Sequence, residues 1–132
     1  MKRYLVVEDE GMSRLMLKEF LAEYAPCDAA ENGKEGLRLF EQALSDGEPY
    51  SLICIDLVMP EMNGLALIRK IKELEKIQHL TSEYCAKIFV ITSSDSTWDK
   101  ADLLLDNLCD DYIVKPFDSN ALQVSLRRYG LI

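Results

Sequence analysis

A chain of 132 residues is long enough for one domain with a full core and too short for two ordinary ones. Hydrophobic residues make up 48% and charged residues 29%, the balance of a globular rather than a disordered chain. A formal net charge of −8 repels a phosphate backbone and argues against direct nucleic-acid binding. The apolar start after Lys2-Arg3 meets Glu8-Asp9 too soon for a signal peptide, and no segment approaches the roughly 20 apolar residues of a membrane span. A cytoplasmic protein without membrane insertion is expected. The cysteines Cys27, Cys54, Cys85 and Cys109 are scattered and show no Cys-x-x-Cys spacing, so they read as buried reduced thiols. His79 has no metal-binding neighbour in sequence and reads as a surface residue.

Residues 3–7 form a short apolar, β-branched run that ends at Glu8-Asp9-Glu10 and predicts a buried strand. A helix follows from Gly11 to Tyr24, with Met12, Leu15, Met16 and Phe20 near helical spacing, and Pro26 stops it. Residues 27–30 read as a weak short strand. Asn32-Gly33 has the text of a hairpin turn, but Leu37, Phe40, Ala43 and Leu44 continue at helical spacing and predict a second helix from Gly33. The loop 45–49 ends it. Tyr50 to Asp56 is apolar at nearly every position, as a strand buried on both faces should be.

A third helix starts near Gly64, with Leu67, Ile68, Ile71, Leu74 and either Ile77 or Gln78 along its stripe. Residues 87–92 form a fourth strand, and Ser96-x-x-Asp99 resembles a capping box before a helix faced by Ala101, Leu104, Leu105 and Leu108. Residues 112–114 form a fifth strand. Asp118 caps a last helix in which Leu122, Leu126 and Tyr129 share a face.

Five strands alternating with five helices predict an α/β fold, a parallel sheet with right-handed crossovers and helices on both faces. In such a sheet the residues that follow each strand converge on one edge, where open α/β sheets place their ligand sites. Here those residues are Glu8 and Asp9, Asp56, Thr92 and Ser93, and Lys115. Three carboxylates at one edge repel one another unless a cation intervenes, and Mg²⁺ suits a site with few protein ligands and retained waters. A lysine adds a second positive centre and a hydroxyl adds a donor. Together they can bind the three oxygens of a phosphoryl group while the central carboxylate attacks it, giving an aspartyl phosphate. Singly, each of these residues is an ordinary strand end or turn; their co-occurrence at four strand ends carries the reading.

Glu8-Asp9, Asp56-Leu57-Val58-Met59-Pro60-x-Met62-Asn63-Gly64, Ile91-Thr92 and Tyr112-Ile113-Val114-Lys115-Pro116-Phe117 together resemble the receiver domain of two-component response regulators. The resemblance covers essentially the whole chain and implies a flavodoxin-like sheet with strand order 2-1-3-4-5. It implies that Asp56 accepts the phosphoryl group. Asp9 would bind Mg²⁺ (or Mn²⁺) directly, Glu8 through water, and Val58 through its main-chain carbonyl, with Asp56 completing the set. Lys115 would pair with Asp56 at rest and with the phosphoryl group afterwards. Thr92 would move its hydroxyl toward the phosphate, the Ser93 amide would bind an oxygen, and Tyr112 would turn inward as the switch. Val58 and Ser94 would tune phosphate lifetime. The Lys115-Pro116 bond is commonly cis in the family.

The sequence departs from the family pattern in places. Glu8 stands where Asp is frequent, Ser93 where Ala is usual, and Leu108-Cys109 where many members have Gly-Ala, so that Asn107 is expected to supply the left-handed helix end. Gly36 inside helix two costs about 1 kcal/mol of helix propensity relative to Ala.

The expected function is that of a stand-alone receiver, one domain over residues 1–132 with no output domain. It would take its phosphoryl group from a histidine kinase or histidine phosphotransfer protein, catalyse only its own phosphorylation and dephosphorylation, and signal through the face of helix four, strand five and helix five. One rival is a non-phosphorylated protein-binding adaptor. Another is a small-molecule phosphohydrolase, against which stands Val58 two residues after Asp56, a side chain unable to do proton work.

Overall fold

The computed structural model describes the backbone of residues 2–59, 61–93 and 97–132, and the side chains of all of these except 97–100. The elements alternate without exception: β1 (Tyr4–Val7), α1 (Gly11–Ala22), β2 (Cys27–Ala30), α2 (Gly33–Ser45), β3 (Leu52–Ile55), α3 (Gly64–Ile77), β4 (Lys87–Thr92), α4 (Thr97–Leu105), β5 (Asp111–Val114) and α5 (Ser119–Arg128). All strand pairs are parallel and the sheet order is β2-β1-β3-β4-β5. This is the expected flavodoxin-like arrangement. The capping box expected at Ser96 and Asp99 lies outside the described side chains.

Strand pleating divides the core in two. Leu5, Val7, Ile53, Ile55, Ile88 and Val90 face one way and meet α2, α3 and α4 through Phe40, Leu67, Ile68, Ile71 and Leu103. The alternate residues Tyr4, Val6, Leu52, Cys54, Phe89 and Ile91 face α1 and α5 through Leu17, Leu21, Leu122 and Leu126. Both faces of the sheet are therefore covered, which is why strands β1 and β3 read as unbroken apolar runs.

Local chemistry sets the helix starts. Glu10 caps α1 by accepting from the amides of Met12 and Ser13, Asn32 caps α2 through Glu35, Asn63 caps α3 through Ala66, and Asp118 caps α5 through Asn120. Asn32-Gly33 is thus a helix start and not a hairpin. Gly36, which looked costly inside α2, has a packing reason: a Cβ there would lie 2.8 Å from Val7 Cγ2, so the glycine lets α2 settle directly on β1. Asn107 is left-handed at φ 55°, and the Lys115-Pro116 bond is cis, both as expected. His79 is exposed. The four cysteines are free, with Cys54 and Cys109 buried and Cys27 and Cys85 half-buried. Burial raises the thiol pKa of Cys27 to about 12 and of Cys109 to about 11, which keeps both in the unreactive thiol form.

Three helix faces differ from expectation. In α1, Met12, Leu15 and Met16 are exposed, while Leu17 and Leu21 are buried with Phe20 and Tyr24 packed beside them. The helix carries two overlapping apolar rows, and spacing alone does not choose between them. The inward row is the one whose Phe20 ring meets both Tyr24 and Phe117 edge-on. In α4 the run of three leucines turns Leu103 inward and leaves Leu104 and Leu105 exposed. The stripe of α3 continues neither to Ile77 nor to Gln78, both exposed, but to Glu75.

Glu75 is a buried acid, 3% exposed, whose Oε2 accepts from the Ala86 amide at 2.7 Å and so fastens the α3–β4 connection to the helix. Burial raises its pKa above the ordinary glutamate value, and the Ala86 amide only partly offsets this. A raised folded-state pKa means that the folded protein holds the proton more tightly than the unfolded chain does. Its contribution to stability is fully present below the unfolded-state pKa and is lost as pH rises through the folded-state value. Urea unfolding of the wild type across that window should show stability falling as pH rises. Glu75→Gln, which keeps a carbonyl acceptor for Ala86, should remove this part of the slope; an unchanged slope would show that Glu75 is not its source.

Candidate functional site

The register of the sheet builds the site. Val7 pairs with Ile55, so the next residues, Glu8 and Asp56, emerge side by side at the carboxyl edge. The Asp56 amide donates to Val7 O at 3.1 Å and the Glu8 amide to Ala30 O at 3.1 Å, which pins both strand ends before the chain turns away. On the other side of β3, Thr92 pairs with Val114, and the Lys115 amide donates to Thr92 O at 2.8 Å. Four strand ends thus bring Glu8, Asp56, Thr92 and Lys115 to one place. The turn after Asp56 is possible because residue 64 is glycine: a Cβ there would lie 2.4 Å from Asp56 O.

Asp56 and Glu8 are 6% and 1% exposed, and Thr92 is fully buried. Lys115 Nζ lies 2.8 Å from Glu8 Oε1 and 3.1 Å from Asp56 Oδ2. Asp56 Oδ1 accepts from the Val58 amide at 3.1 Å, and Thr92 contributes a further side-chain hydrogen bond to the carboxylate. Desolvation opposes the charge on Asp56, but the hydrogen bonds from Thr92, the Val58 amide, Glu8 and Lys115 outweigh it and hold the group below the usual aspartate pKa. Glu8 goes the other way. Burial, reinforced by the nearby Asp56 charge, lifts it to about 7, although Lys115 pulls it down. Desolvation opposes the charge on Lys115 too, but its two carboxylate partners outweigh it and raise the ammonium above its ordinary pKa.

Glu8, Asp9 and Asp56 each present a carboxylate oxygen within 4.8 Å of one another, a spacing that could hold a metal ion. Glu8 Oε2 is a buried acceptor without a hydrogen-bond partner, and Asp9 is exposed and open to solvent. An oxygen-only donor set with an orphaned carboxylate oxygen suits a hard divalent cation. The remaining candidates fall nearby. Val58 follows the Asp56 strand end with its side chain 62% exposed, and Ser93 is exposed just after β4. Tyr112 is buried, in the core cluster that also holds Leu103 of α4. Ser94 lies outside the described residues. Sequence reasoning gave Lys115 a single partner, Asp56; the shorter contact, to Glu8, was missed. Its only sequence signal is the extra methylene of glutamate at a position where the family often has aspartate.

Residues 4–127 match the family model of the response regulator receiver domain. The chain belongs to the response regulator receiver family. Receiver relatives include the response regulator ArlR of Staphylococcus epidermidis, 37% identical over 128 residues, 96% of this chain and 52% of the relative. ArlR of Staphylococcus aureus is 37% identical over the same share. This receiver therefore spans about half the length of the curated relatives it matches. Among solved structures it resembles the response regulator TrrA of Thermotoga maritima in complex with Mg²⁺-BeF, at 32% identity, TM-score 0.74 and coverage of 98% of this chain and 99% of that one. It also resembles a chain from the co-crystal of the Saccharomyces cerevisiae histidine phosphotransfer protein Ypd1 with the receiver domain of Ssk1, at 28% identity and TM-score 0.79, covering 98% of this chain and 88% of that one. This is a receiver domain of two-component signalling, with an acidic cluster able to take a divalent cation. Among the described residues no helix is long and apolar enough to cross a membrane.

The stability of the site rests on Lys115. Removing it leaves two buried carboxylates facing each other without a counter-charge, a loss of about 3 kcal/mol by the usual cost of breaking a buried pair. Lys115→Met should lower the unfolding free energy by that order in chelator at neutral pH, measured by urea titration. A variant as stable as wild type would show that the pair adds nothing to the fold.

Proposed function

We propose that this receiver works as a phosphoacceptor, with Asp56 as the residue that carries the phosphoryl group. The observation that supports this best is the convergence of Lys115, Thr92 and the Val58 amide on the buried Asp56 carboxylate. Asp56 is kept ionised by Thr92, the Val58 amide and Lys115, so its carboxylate is held ready as a nucleophile. A docking module would gain nothing from burying two carboxylates and a lysine, whose desolvation costs several kcal/mol per ion. Such a desolvation cost disfavours a purely protein-binding role.

The phosphoryl donor is a phosphohistidine on a histidine kinase or a histidine phosphotransfer protein. An Asp56 carboxylate oxygen forms the new bond to phosphorus, the bond from phosphorus to the donor nitrogen breaks, and that nitrogen keeps the electron pair and takes up a proton. Asp9, Asp56 and the Val58 carbonyl would hold the cation directly and Glu8 through water, with Mg²⁺ preferred and Mn²⁺ as a substitute. When bound, the cation supplies positive charge to neutralise the phosphoryl oxygens. Lys115 supplies the second positive centre, Thr92 a hydroxyl and Ser93 an amide. Hydrolysis of the acyl phosphate later returns Asp56 to its carboxylate, with Val58 and Ser94 setting the access of water. The receiver thus catalyses only its own modification.

The added phosphate charge draws Lys115 and Thr92 toward it. Tyr112, in the core cluster with Leu103 of α4, carries that change to the face of α4, β5 and α5, which shifts between two packings and controls a protein partner. Residues 1–132 act as one receiver domain, working in the cytoplasm.

Wild-type protein with Mg²⁺ and radiolabelled acetyl phosphate should acquire up to one label per chain. Asp56→Asn should lower the labelling rate by about 100-fold or more, as expected when the nucleophile is removed. Equal stoichiometry in the two proteins would sink the assignment of Asp56.

A further inference from the structure

At the amino edge of the sheet, opposite the carboxylate cluster, lies a cavity that the acceptor chemistry does not use. Its volume is about 850 Å³, within the range of small-molecule sites. The floor is the entry to β1, β3 and β4: the Ser51 amide donates to Arg3 O at 2.7 Å and the Lys87 amide to Ser51 O at 2.9 Å. The α3–β4 connection walls one side. Its backbone is fastened there, with the amides of Tyr84 and Cys85 donating to Thr81 O at 2.9 and 3.1 Å and the Ala86 amide to Glu75 at 2.7 Å. Residues Tyr129, Gly130 and Leu131, which follow α5, close another side.

The charge of this cavity runs against that of the protein. A chain of net charge −8 places Lys2, Arg3 and Lys87 around it, against Glu48 and Glu83. Arg3 is already occupied: it pairs with Asp28 at 3.0 Å and Glu48 at 3.6 Å, and lies 4.9 Å from the centre of the Tyr50 ring. Among the described residues neither lysine has a carboxylate partner. Lys2 donates to the Gly130 carbonyl, and Lys87 Nζ stands 6.0 Å from the centre of the Tyr129 ring. The tyrosines divide in the same way. Tyr50 and Tyr129 donate their hydroxyls to Asp28 and to the Asp110 carbonyl. Tyr84 is 56% exposed, and among the described residues its side chain has no hydrogen-bond or ring partner.

We propose that this cavity binds a nucleotide-like anion, an aromatic ring carrying a phosphate, with the ring on Tyr84 and the phosphate on Lys2 and Lys87. A phosphate near two negative charges answers two ammonium groups, where a carboxylate answers one. The hydroxyls of Ser51 and Ser82 line the same cavity and add donors for its oxygens. A ring laid on the exposed Tyr84 removes apolar area from water on both partners. Glu83, which lines the cavity without an ion-pair partner among the described residues, opposes the anion and keeps the affinity modest. Binding here stands apart from phosphoryl acceptance at Asp56, at the other edge of the sheet.

The probe is AMP, titrated in chelator into the isotope-labelled chain and followed by NMR. AMP should bind with a Kd of about 0.1 to 1 mM and shift the amides of Ser51, Ser82, Tyr84 and Lys87. Adenosine and inorganic phosphate, titrated separately, should each bind about tenfold more weakly or worse. Tyr84→Ala should weaken AMP binding about tenfold and leave phosphate binding unchanged, while Lys87→Met should weaken both about tenfold. Glu83→Gln removes the opposing charge and should tighten AMP binding about threefold, a gain that misfolding cannot produce. No shift of these amides at about 10 mM AMP, or shifts confined to the Asp56 edge, would overturn the site. Phosphate that binds as tightly as AMP, or AMP binding indifferent to Tyr84→Ala and Glu83→Gln, would overturn the assigned ligand chemistry.

Discussion

The structure depends on one ammonium group shared by two buried carboxylates. Lys115 sits between Glu8 and Asp56 at the carboxyl edge of the sheet, where parallel pairing forces three strand ends together. Without a positive centre the two acids would each face the other in a poorly hydrated pocket. With one, they titrate in opposite directions: Asp56 is held ionised and Glu8 is pushed toward neutrality. The lysine bonds one oxygen of each acid, and Glu8 Oε2 is left buried without a hydrogen-bond partner. The site is thus short of positive charge by construction, which is the condition under which a divalent cation binds well.

Such a site is held by the fold rather than by its own contacts. The strands beneath it are apolar on both faces, and each face is sealed by its own set of helices. Close approach is arranged by small residues: Gly36 lets α2 rest on Val7, and Gly64 lets the β3–α3 turn pass against Asp56 O. Parallel strands below and the close approach of Gly64 above position the carboxylates. The price is the charge cluster itself, which the surrounding core offsets.

Most of the fold was legible because its signals are local and repeated. Apolar runs marked β1, β3 and β4 as strands, with β3 read as buried on both faces, and helical spacing marked the helices between them. Parallel topology then placed Glu8, Asp56, Thr92 and Lys115 at one edge. Helix rotation was less legible. Met12, Leu15 and Met16 of α1 keep helical spacing as well as Leu17 and Leu21 do, and three consecutive leucines in α4 offer every phase, so the inward face was settled by tertiary partners such as Phe117. Glu75 was invisible as a core residue because nothing local announces the Ala86 amide it receives from across the α3–β4 connection. The Glu8–Lys115 contact joins residues 107 positions apart and hangs on a single methylene. Residue type suggested the reach but not its target.

The central claim, that Asp56 carries the phosphoryl group, is tested most directly by chemical mapping. Protein phosphorylated with acetyl phosphate and Mg²⁺ would be reduced with borohydride, which converts an aspartyl phosphate to homoserine, and its peptides sequenced by mass spectrometry. The account predicts homoserine at position 56 and at no other aspartate. Homoserine at another acidic position, Asp9 included, or none in protein that had taken up phosphate, would contradict it.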